Sequence, residues 1–282
     1  MPNTLITLTT DFGLTDHFAG VMKGVIAGIA PRARVIDISH DVAVHNVAEA
    51  AFVIAEAWPY FPKGTIHAVV VDPGVGTSRR PILAEAAGHF FLAPDNGVLS
   101  MVFDAVPHKV RMISNPKLMR REISRTFHGR DVFAPAAAHL AKGVRPSACG
   151  KLIRDYVRVW LSKPSECGPN RWRGTILKVD HFGNLITNFA ARDFAGVKTR
   201  AFELRAGTKR IHRVALNYAE AEAGELRQRR VRDLERGGGP DEVLHRHVHG
   251  AGVGGVRDGV AVRERAPLGV LAGQADRDPL PQ

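Results

Sequence analysis

The amino-acid sequence predicts an α/β fold, with a mostly parallel sheet flanked by helices in an N-terminal domain and a smaller β-rich C-terminal domain. The first 160 residues alternate short apolar runs with amphipathic stretches, which is the pattern of βα units around a parallel sheet. Beyond residue 173, short alternating segments follow one another without a helical pattern between them. A chain of 282 residues is long enough for both domains to bury a sizeable core.

The N-terminal domain is predicted at residues 1–161 and opens with a strand, a turn and a helix. Residues 5–10 (LITLTT) are predicted as a strand, and Asp11-Phe12-Gly13 follows it as a turn. Apolar side chains then recur every three or four positions as far as Pro31, which predicts a helix over 16–30. The later predicted strands are 34–39, 65–71, 82–86, 89–93 and 109–113, the pair 82–86 and 89–93 being a hairpin turned at Gly88. The later predicted helices are 47–58, 96–103 and 131–141.

A linker is predicted at residues 162–172, where Ser162–Asn170 is rich in Pro, Gly and Ser. The β-rich domain follows at 173–225. Its predicted strands are 173–180, 185–189, 201–204 and 210–214.

The last segment, 226–282, differs in composition from everything before it. It holds ten Arg and ten Gly but no Lys, and it lacks every aromatic residue and every Ser and Thr. This bias is typical of a GC-rich gene read out of frame, so we take a frameshift near Glu225 as a hypothesis. A genuine Arg/Gly-rich disordered tail is the alternative.

Composition limits the functional classes without selecting one. The net charge of +11 favours polyanions in general but identifies no chemistry. Two cysteines cannot build a disulfide framework, which favours a reducing, cytoplasmic setting. The N-terminus lacks the pattern of a signal peptide, and no apolar run is long enough to span a membrane.

Polar side chains are concentrated at the predicted strand ends, where ligands bind in open parallel sheets. Asp11 and Asp16 follow the first strand, and Asp72 with Arg79 follows the third. His128 precedes the last helix of the domain. Each group alone has an ordinary structural explanation, since Asp-Pro-Gly is a common turn. The joint occurrence of acidic, basic and imidazole groups at one sheet edge predicts a reactive site.

Six ordered strings carry a resemblance to a known family. They are TDFG (10–13), MKGVI (22–26), DPGVGTSRR (72–80), APDNG (93–97), TFHGRDVFAPAAAHLA (126–141) and VDHFGNLITN (179–188). Over residues 4–222 the chain resembles the S-adenosyl-L-methionine (SAM) hydroxide adenosyltransferases, or SAM hydrolases, which are related to fluorinases and chlorinases.

The resemblance implies cleavage of SAM by water at ribose C5′, giving adenosine and L-methionine without a cofactor. It assigns catalysis to Asp72, Arg79 and His128. It assigns substrate binding to Asp11, Asp16, Asn96, Asp180, Phe182 and Asn184. It also implies a homotrimer, with the site between one subunit's first domain and a neighbour's second domain.

The predicted chemistry needs an aligned water molecule and no general acid, because a sulfonium departs as a neutral leaving group. A guanidinium beside the water stabilises developing hydroxide, and either His128 or Asp72 accepts the proton late in the transition state. A halide nucleophile is disfavoured because Asp72 would repel an anion. The sequence does not decide which of the two residues is the base.

Two other classes of function stay open at this point. Seven Asp and His residues supply ligands for a metal-dependent hydrolase of a nucleotide-like substrate, although no fixed ligand motif is present: Asp11, Asp16, His17, His40, Asp41, Asp72 and His128. A nucleic-acid-binding protein is the second alternative, because residues 109–130 contain seven basic side chains and one acid. Sparse aromatic residues there make nucleic acid a less favoured partner.

Overall fold

The computed structural model describes residues 4–160, 163–182 and 184–189, with six later strand segments at 202–206, 209–211, 214–215, 226–229, 245–249 and 260–264. The chain divides into two compact units after Lys163. This division lies inside the predicted linker. Much of that linker is nevertheless paired as strands of the second unit, because Ser165–Gly168 and Arg171–Gly174 are antiparallel partners.

A seven-stranded sheet forms the centre of the first unit. Its strands are β1 (Leu5–Thr10), β2 (Arg34–Ser39), β3 (Ile66–Val70), β4 (Pro81–Ala86), β5 (His89–Pro94), β6 (His108–Met112) and β7 (Leu152–Ile153). The spatial order is β2-β1-β3-β5-β4-β6-β7. The first four strands in that order are parallel, and the remaining pairings are antiparallel. The predicted α/β class is confirmed, and the sheet is mixed.

Helices cover both faces of this sheet. They are α1 (Phe18–Ile29), α2 (Val47–Ala57), α3 (Ser100–Ala105) and α4 (Ala134–Ala141). Helices α1 and α4 share one buried core, in which Met22 and Ile26 pack against alanines of α4. Helices α2 and α3 share the other core, which includes Ile54 and Phe103. None of the helices in the described part of the chain is long and apolar enough to cross a bilayer.

Two helix boundaries differ from the sequence prediction for local reasons. Helix α3 begins at Ser100 rather than residue 96, because the Asn96 side chain accepts from the Val98 amide and donates to the Val71 carbonyl, which holds residues 96–98 in a turn. Helix α4 is preceded by a wide turn, Gly129–Phe133, in which the Ala134 amide donates to the Gly129 carbonyl five residues earlier. Wide turns of this kind recur at functional sites.

The predicted hairpin is confirmed between β4 and β5. Ala86 pairs with His89, and the two residues between them, Ala87 and Gly88, have φ angles of 49° and 82°. Positive φ at both central positions matches the twist of a two-residue hairpin, and glycine adopts that conformation at the least cost.

Every regular element among the described residues of the second unit is a strand. They are β8 (Ser165–Gly168), β9 (Arg171–Gly174), β10 (Ile176–Val179), β11 (Asn184–Thr187), β12 (Phe202–Ala206), β13 (Lys209–Ile211), β14 (Val214–Ala215), β15 (Leu226–Arg229), β16 (His245–His249) and β17 (Val260–Glu264). They form two five-stranded sheets, β10-β11-β16-β15-β14 and β13-β12-β17-β9-β8. Strands β15, β16 and β17 belong to the tail of unusual composition. The rest of that tail lies outside the described residues, and its origin by frameshift stays a prediction.

A buried histidine pair lies within the first unit, away from the strand ends that carry the predicted site. A hydrogen bond of 2.7 Å joins Nδ1 of His67, in β3, to Thr7 Oγ1. The other ring nitrogen of His67, Nε2, lies 3.3 Å from His89 Nδ1. Both rings are almost fully buried, and His67 stacks on Phe91. Burial, with a smaller contribution from His89, lowers the pKa of His67 to about 3. The imidazole is therefore neutral in the folded protein.

We expect this pair to make folding stability fall in acid. An unfolded His67 takes up a proton near pH 6.5, whereas the folded residue resists protonation down to about pH 3. Its contribution is therefore complete above pH 6.5 and decreases by about 1.4 kcal/mol per pH unit below it. Urea unfolding at several pH values between these limits measures the effect. The free energy of unfolding of His67→Gln should depend less steeply on pH than that of the parent. The exposed His181→Gln should leave the parent slope unchanged; equal slopes for all three proteins would contradict the prediction.

Candidate functional site

The carboxyl ends of β1 and β3 lie side by side at the point where the strand order changes direction. Thr10 pairs with Val70, so Asp11 and Asp72 follow neighbouring strand ends. In the sheet, β2 lies on one side of β1 and β3 lies on the other, so the chain crosses to opposite sides after β1 and after β2. Such a switch point leaves a crevice in which doubly wound proteins bind ligands.

Asp72, Arg79 and His128 form one hydrogen-bonded group. The Nε of Arg79 donates to Asp72 Oδ1 at 2.9 Å, and Nη2 of Arg79 donates to Asp72 Oδ2. The same Nη2 lies 2.6 Å from Nδ1 of His128. The side chains of Arg79 and Asp72 are more than nine-tenths buried, with exposed fractions of 8% and 7%, respectively. The structure thus brings together the three predicted catalytic residues.

This contact determines which nitrogen of His128 carries its hydrogen. A guanidinium has only donors, so Nδ1 of His128 must accept from Arg79. The hydrogen of the neutral imidazole is then on Nε2. Burial, followed by the positive charge of Arg79, lowers the pKa of His128 from its ordinary value; Asp72 and a backbone hydrogen bond with Ser124 act in the opposite direction. His128 is therefore neutral at pH 7.

A cavity of about 310 Å³ opens in front of Asp72 and His128. Three aromatic rings form part of its wall: Phe127 makes edge contacts with Phe12 at 5.8 Å and with Phe18 at 5.1 Å. The lining residues are Asp11, Phe12, Phe18, Val44, His45, Val70, Asp72, Val75, Thr126, Phe127, His128 and Gly129. Two carboxylates on an otherwise largely apolar wall suit a ligand that is cationic and partly hydrophobic.

Arg79 is not one of the lining residues of this cavity. Its guanidinium lies behind Asp72 and His128, and its Cζ is 5.6 Å from the centre of the Phe133 ring. Within the described part of the chain, its Nη1 is buried without a hydrogen-bond partner. A buried unpaired donor of this kind requires an explanation, such as a bound water molecule.

Asp11 is held by the loop that follows β2. The backbone N–H of His45 donates to Asp11 Oδ2 at 2.9 Å, and His45 has a φ angle of 62°. A non-glycine residue in this region is uncommon and often marks a site. Neither His45 nor the aromatic wall is predicted from the sequence. Position after the carboxyl end of β2 was the available signal for His45.

The two loops that carry the catalytic group touch closely at Gly76. This glycine has a φ of 77°, and any Cβ built on it would collide with the carbonyl group of Arg125. Only glycine combines that backbone conformation with so close an approach. The loop from Asp72 to Arg79 and the segment before His128 are therefore packed together.

Asp16 and Asn96, two further predicted site residues of the first unit, are not among the lining residues of this cavity. Asp16 is exposed and does not line it. Asn96 also does not line it, because Nδ2 donates to the Val71 carbonyl at 2.9 Å and Oδ1 accepts from the Val98 amide. Asn96 thus supports the chain just before Asp72.

Asp180, Phe182 and Asn184 form a tight turn in the second unit. Asp180 Oδ1 accepts from the amides of Phe182 and Asn184, and Asp180 Oδ2 accepts from Asn184 Nδ2 at 2.7 Å. Asn184 is fully buried, whereas Phe182 is 74% exposed. The turn therefore presents an aromatic ring to its surroundings.

The residues considered for a metal site do not form one. Among the residues that the structure describes, no cluster of three or more His, Cys, Asp and Glu is arranged to hold a metal ion. His40 is instead buried against Thr10 Oγ1 at 2.8 Å and Asp37 Oδ1 at 3.1 Å.

Comparison with known families matches two profiles, in the order that the structure shows. Residues 6–150 match the SAM hydroxide adenosyltransferase N-terminal domain, and residues 174–227 match the C-terminal domain of the same family. The chain belongs to the SAM hydroxide adenosyltransferase family. The second match ends at residue 227, close to Glu225, where the composition changes.

Relatives in this family are named for two activities. An (R)-S-adenosyl-L-methionine hydrolase from Salinispora arenicola is 41% identical over 184 residues, covering 64% of this chain and 70% of the relative. One of the same name from Thermus thermophilus is 37% identical, covering 66% and 75%. A fluorinase from an Actinoplanes species is 29% identical, covering 68% and 73%.

A solved structure has a closely similar fold. An uncharacterised conserved protein from Thermotoga maritima matches with a TM-score of 0.77 and 33% identity, covering 92% of this chain and 99% of the other.

Proposed function

We propose that this SAM hydroxide adenosyltransferase hydrolyses S-adenosyl-L-methionine to adenosine and L-methionine. The observation that carries the proposal is the Asp72–Arg79–His128 group at the wall of a cavity with two carboxylates. Family membership adds the substrate, since several relatives are named (R)-S-adenosyl-L-methionine hydrolase.

The reaction forms one bond and breaks one. A water oxygen bonds to ribose C5′ as the C5′–S bond breaks, and the electron pair of that bond leaves with sulfur as the neutral thioether of methionine. The attacking water becomes a strong acid as it bonds to carbon, and it gives up one proton. Asp11 and Asp72 favour binding of the sulfonium cation, and they disfavour a halide in the same cavity.

Asp72, rather than His128, accepts that proton in our proposal. The Nδ1 lone pair of His128 is occupied by Arg79, and its lowered pKa makes the imidazole a weaker base. Each Asp72 oxygen uses one acceptor site on Arg79 and keeps another, and Asp72 lines the cavity. Arg79 holds both partners in place from outside the cavity, through its bonds to Asp72 and to Nδ1 of His128.

The remaining residues are proposed to bind the substrate. Asp11, with one oxygen fixed by the His45 amide, receives the ribose diol on the other. Asp16 belongs to the ribose and methionine end. Asn96 contributes through the backbone before Asp72. Asp180, Asn184 and Phe182 hold the methionine amine, the adenine edge and the purine face, respectively.

The (R) prefix in the relatives' names extends the proposal to stereochemistry. Three different carbons surround the sulfonium, so SAM exists as two sulfur epimers. Pure protein should be incubated with each epimer in ¹⁸O-labelled water, with and without EDTA. We expect ¹⁸O in adenosine and none in methionine, with the (R) epimer cleaved faster and no effect of EDTA. Absence of adenosine with both epimers would contradict the proposed function; loss of activity in EDTA would favour a metal-dependent hydrolase and contradict the proposed absence of a cofactor.

The pH dependence follows from the state of His128. Protonated His128 would place a donor against the Arg79 donor, so activity should require neutral imidazole. Because the pKa of His128 is lowered, we expect the acid limb of kcat/KM to lie below pH 6.5. His128→Asn, whose amide retains an acceptor, should lose that limb and keep part of the activity. His139→Gln is the matched control, because the pKa of His139 is also lowered but the residue does not line the cavity.

Assembly and location complete the proposal. We propose a cytoplasmic homotrimer in which the turn at Asp180–Asn184 completes the cavity of a neighbouring subunit. The exposed Phe182 ring supports this assembly, and two free cysteines support a reducing compartment. Light scattering during size-exclusion chromatography tests the trimer, and cell fractionation tests the location.

A further inference from the structure

The structure assigns a positioning function to Asp131 and Arg130, neither of which lines the cavity. Together they fix the segment that carries His128 and Phe127 to the cavity wall. This inference rests on the proposed function, because its kinetic consequences concern SAM hydrolysis.

Asp131 is a fully buried carboxylate with several partners on one segment of chain. Its Oδ1 lies 2.7 Å from Arg130 Nε and 3.4 Å from Arg120 Nε. Its Oδ2 accepts from Arg130 Nη2 at 3.0 Å and from the Ser124 amide at 2.9 Å. A buried carboxylate with charge-assisted bonds fixes its donors more firmly than neutral hydrogen bonds do.

The contacts continue from Ser124 to the cavity wall. Ser124 Oγ accepts from the Phe127 amide at 2.9 Å, and a backbone hydrogen bond joins Ser124 to His128. The Asp131 amide in turn donates to the Phe127 carbonyl at 3.2 Å. The segment has no regular structure between Leu118 and His128, so these bonds, together with the close approach of Arg125 to Gly76, determine its path.

Arg130 connects the same carboxylate to the aromatic wall. Its Cζ lies 5.3 Å from the centre of the Phe127 ring. Phe127 contacts Phe12 and Phe18, which also line the cavity. Arg130 thus contacts the ring with a guanidinium that is itself fixed by Asp131.

Two variants test the assignment. Asp131→Asn keeps the shape of the side chain and an acceptor for the Ser124 amide, but it loses the charge-assisted bonds. Arg130→Gln keeps Asp131 and removes the contact with Phe127. We expect kcat/KM to fall at least tenfold in both, with a larger change in kcat for Asp131→Asn and in KM for Arg130→Gln. The matched control is Arg121→Gln, which removes an exposed charge from the same segment and should stay within twofold of the parent.

A measurement without turnover separates this proposal from the proposed function. NMR titration of the His128 imidazole should show a lower midpoint in Asp131→Asn, because the Asp131 charge and the Ser124 contact both favour protonated His128. Arg79 and Asp72, the other charges facing the ring, are unchanged in that variant. An unchanged midpoint with kcat/KM within twofold in the folded variants would overturn the assignment. If the parent forms no adenosine, the proposed function fails, and the titration alone decides the positioning role.

Discussion

Replacing Asp72 with Asn is expected to reduce kcat for adenosine formation by about 100- to 10,000-fold, the range of a lost general base. The amide has nearly the shape of the carboxylate but is a far weaker acceptor, and its NH₂ group faces a guanidinium that only donates. The attacking water then has no acceptor for its proton. Adenosine release under saturating SAM measures the loss, with circular dichroism as the check on folding.

A comparison of two variants makes this prediction specific to proton transfer. Asp37→Asn is the matched control, since Asp37 is also paired with a cation, Lys23 at 2.6 Å, but lies on the outer strand and does not line the cavity. We expect parental activity from it. If His128→Asn lost more activity than Asp72→Asn, the imidazole rather than the carboxylate would be the base.

Replacing Arg79 with Met is expected to affect both activity and stability. Asp72 would keep its charge in a buried position without a partner, which costs about 3–5 kcal/mol of folding stability. Activity should fall to background at the same time, because Arg79 orients both Asp72 and His128. Urea unfolding measures the first effect, and the adenosine assay measures the second.

Arg79→Met should also change the NMR titration of the His128 imidazole. The positive charge of Arg79 contributes to lowering the pKa of His128, so its removal should raise the midpoint of the His128 titration. Arg80→Met is the matched control: Arg80 also forms ion pairs with two carboxylates, Asp95 and Asp155, but does not contact His128. A His128 midpoint that is the same in the parent and in Arg79→Met would contradict the geometry of the group.

The sequence predicts the scaffold well because strand ends and turns have local signals. The segments before Asp11 and Asp72 predict two strands, which are parallel neighbours in the structure, and Gly88 predicts the hairpin turn. At residues 162–172 the sequence signal is shared by two structures, because Pro, Gly and Ser are common both in linkers and in the turns of a short hairpin such as β8–β9.

The interior of the site has no comparable local signal. The position of Arg79 behind Asp72, and the choice of Nδ1 as the acceptor on His128, depend on contacts between residues 49 positions apart. The aromatic wall joins Phe12 and Phe18 to Phe127, more than 100 positions away along the chain. Such groupings are determined by packing of the complete fold, so residue spacing does not reveal them.

The close approach of Gly76 to the Arg125 carbonyl has a mechanical consequence. A methyl group added at Gly76, in the loop from Asp72 to Arg79, would have to displace the segment that leads to His128. Base and imidazole are therefore coupled as parts of one rigid body, even though distant stretches of the chain supply them. A disturbance that opens either loop would be expected to disable both at once, instead of weakening each in turn.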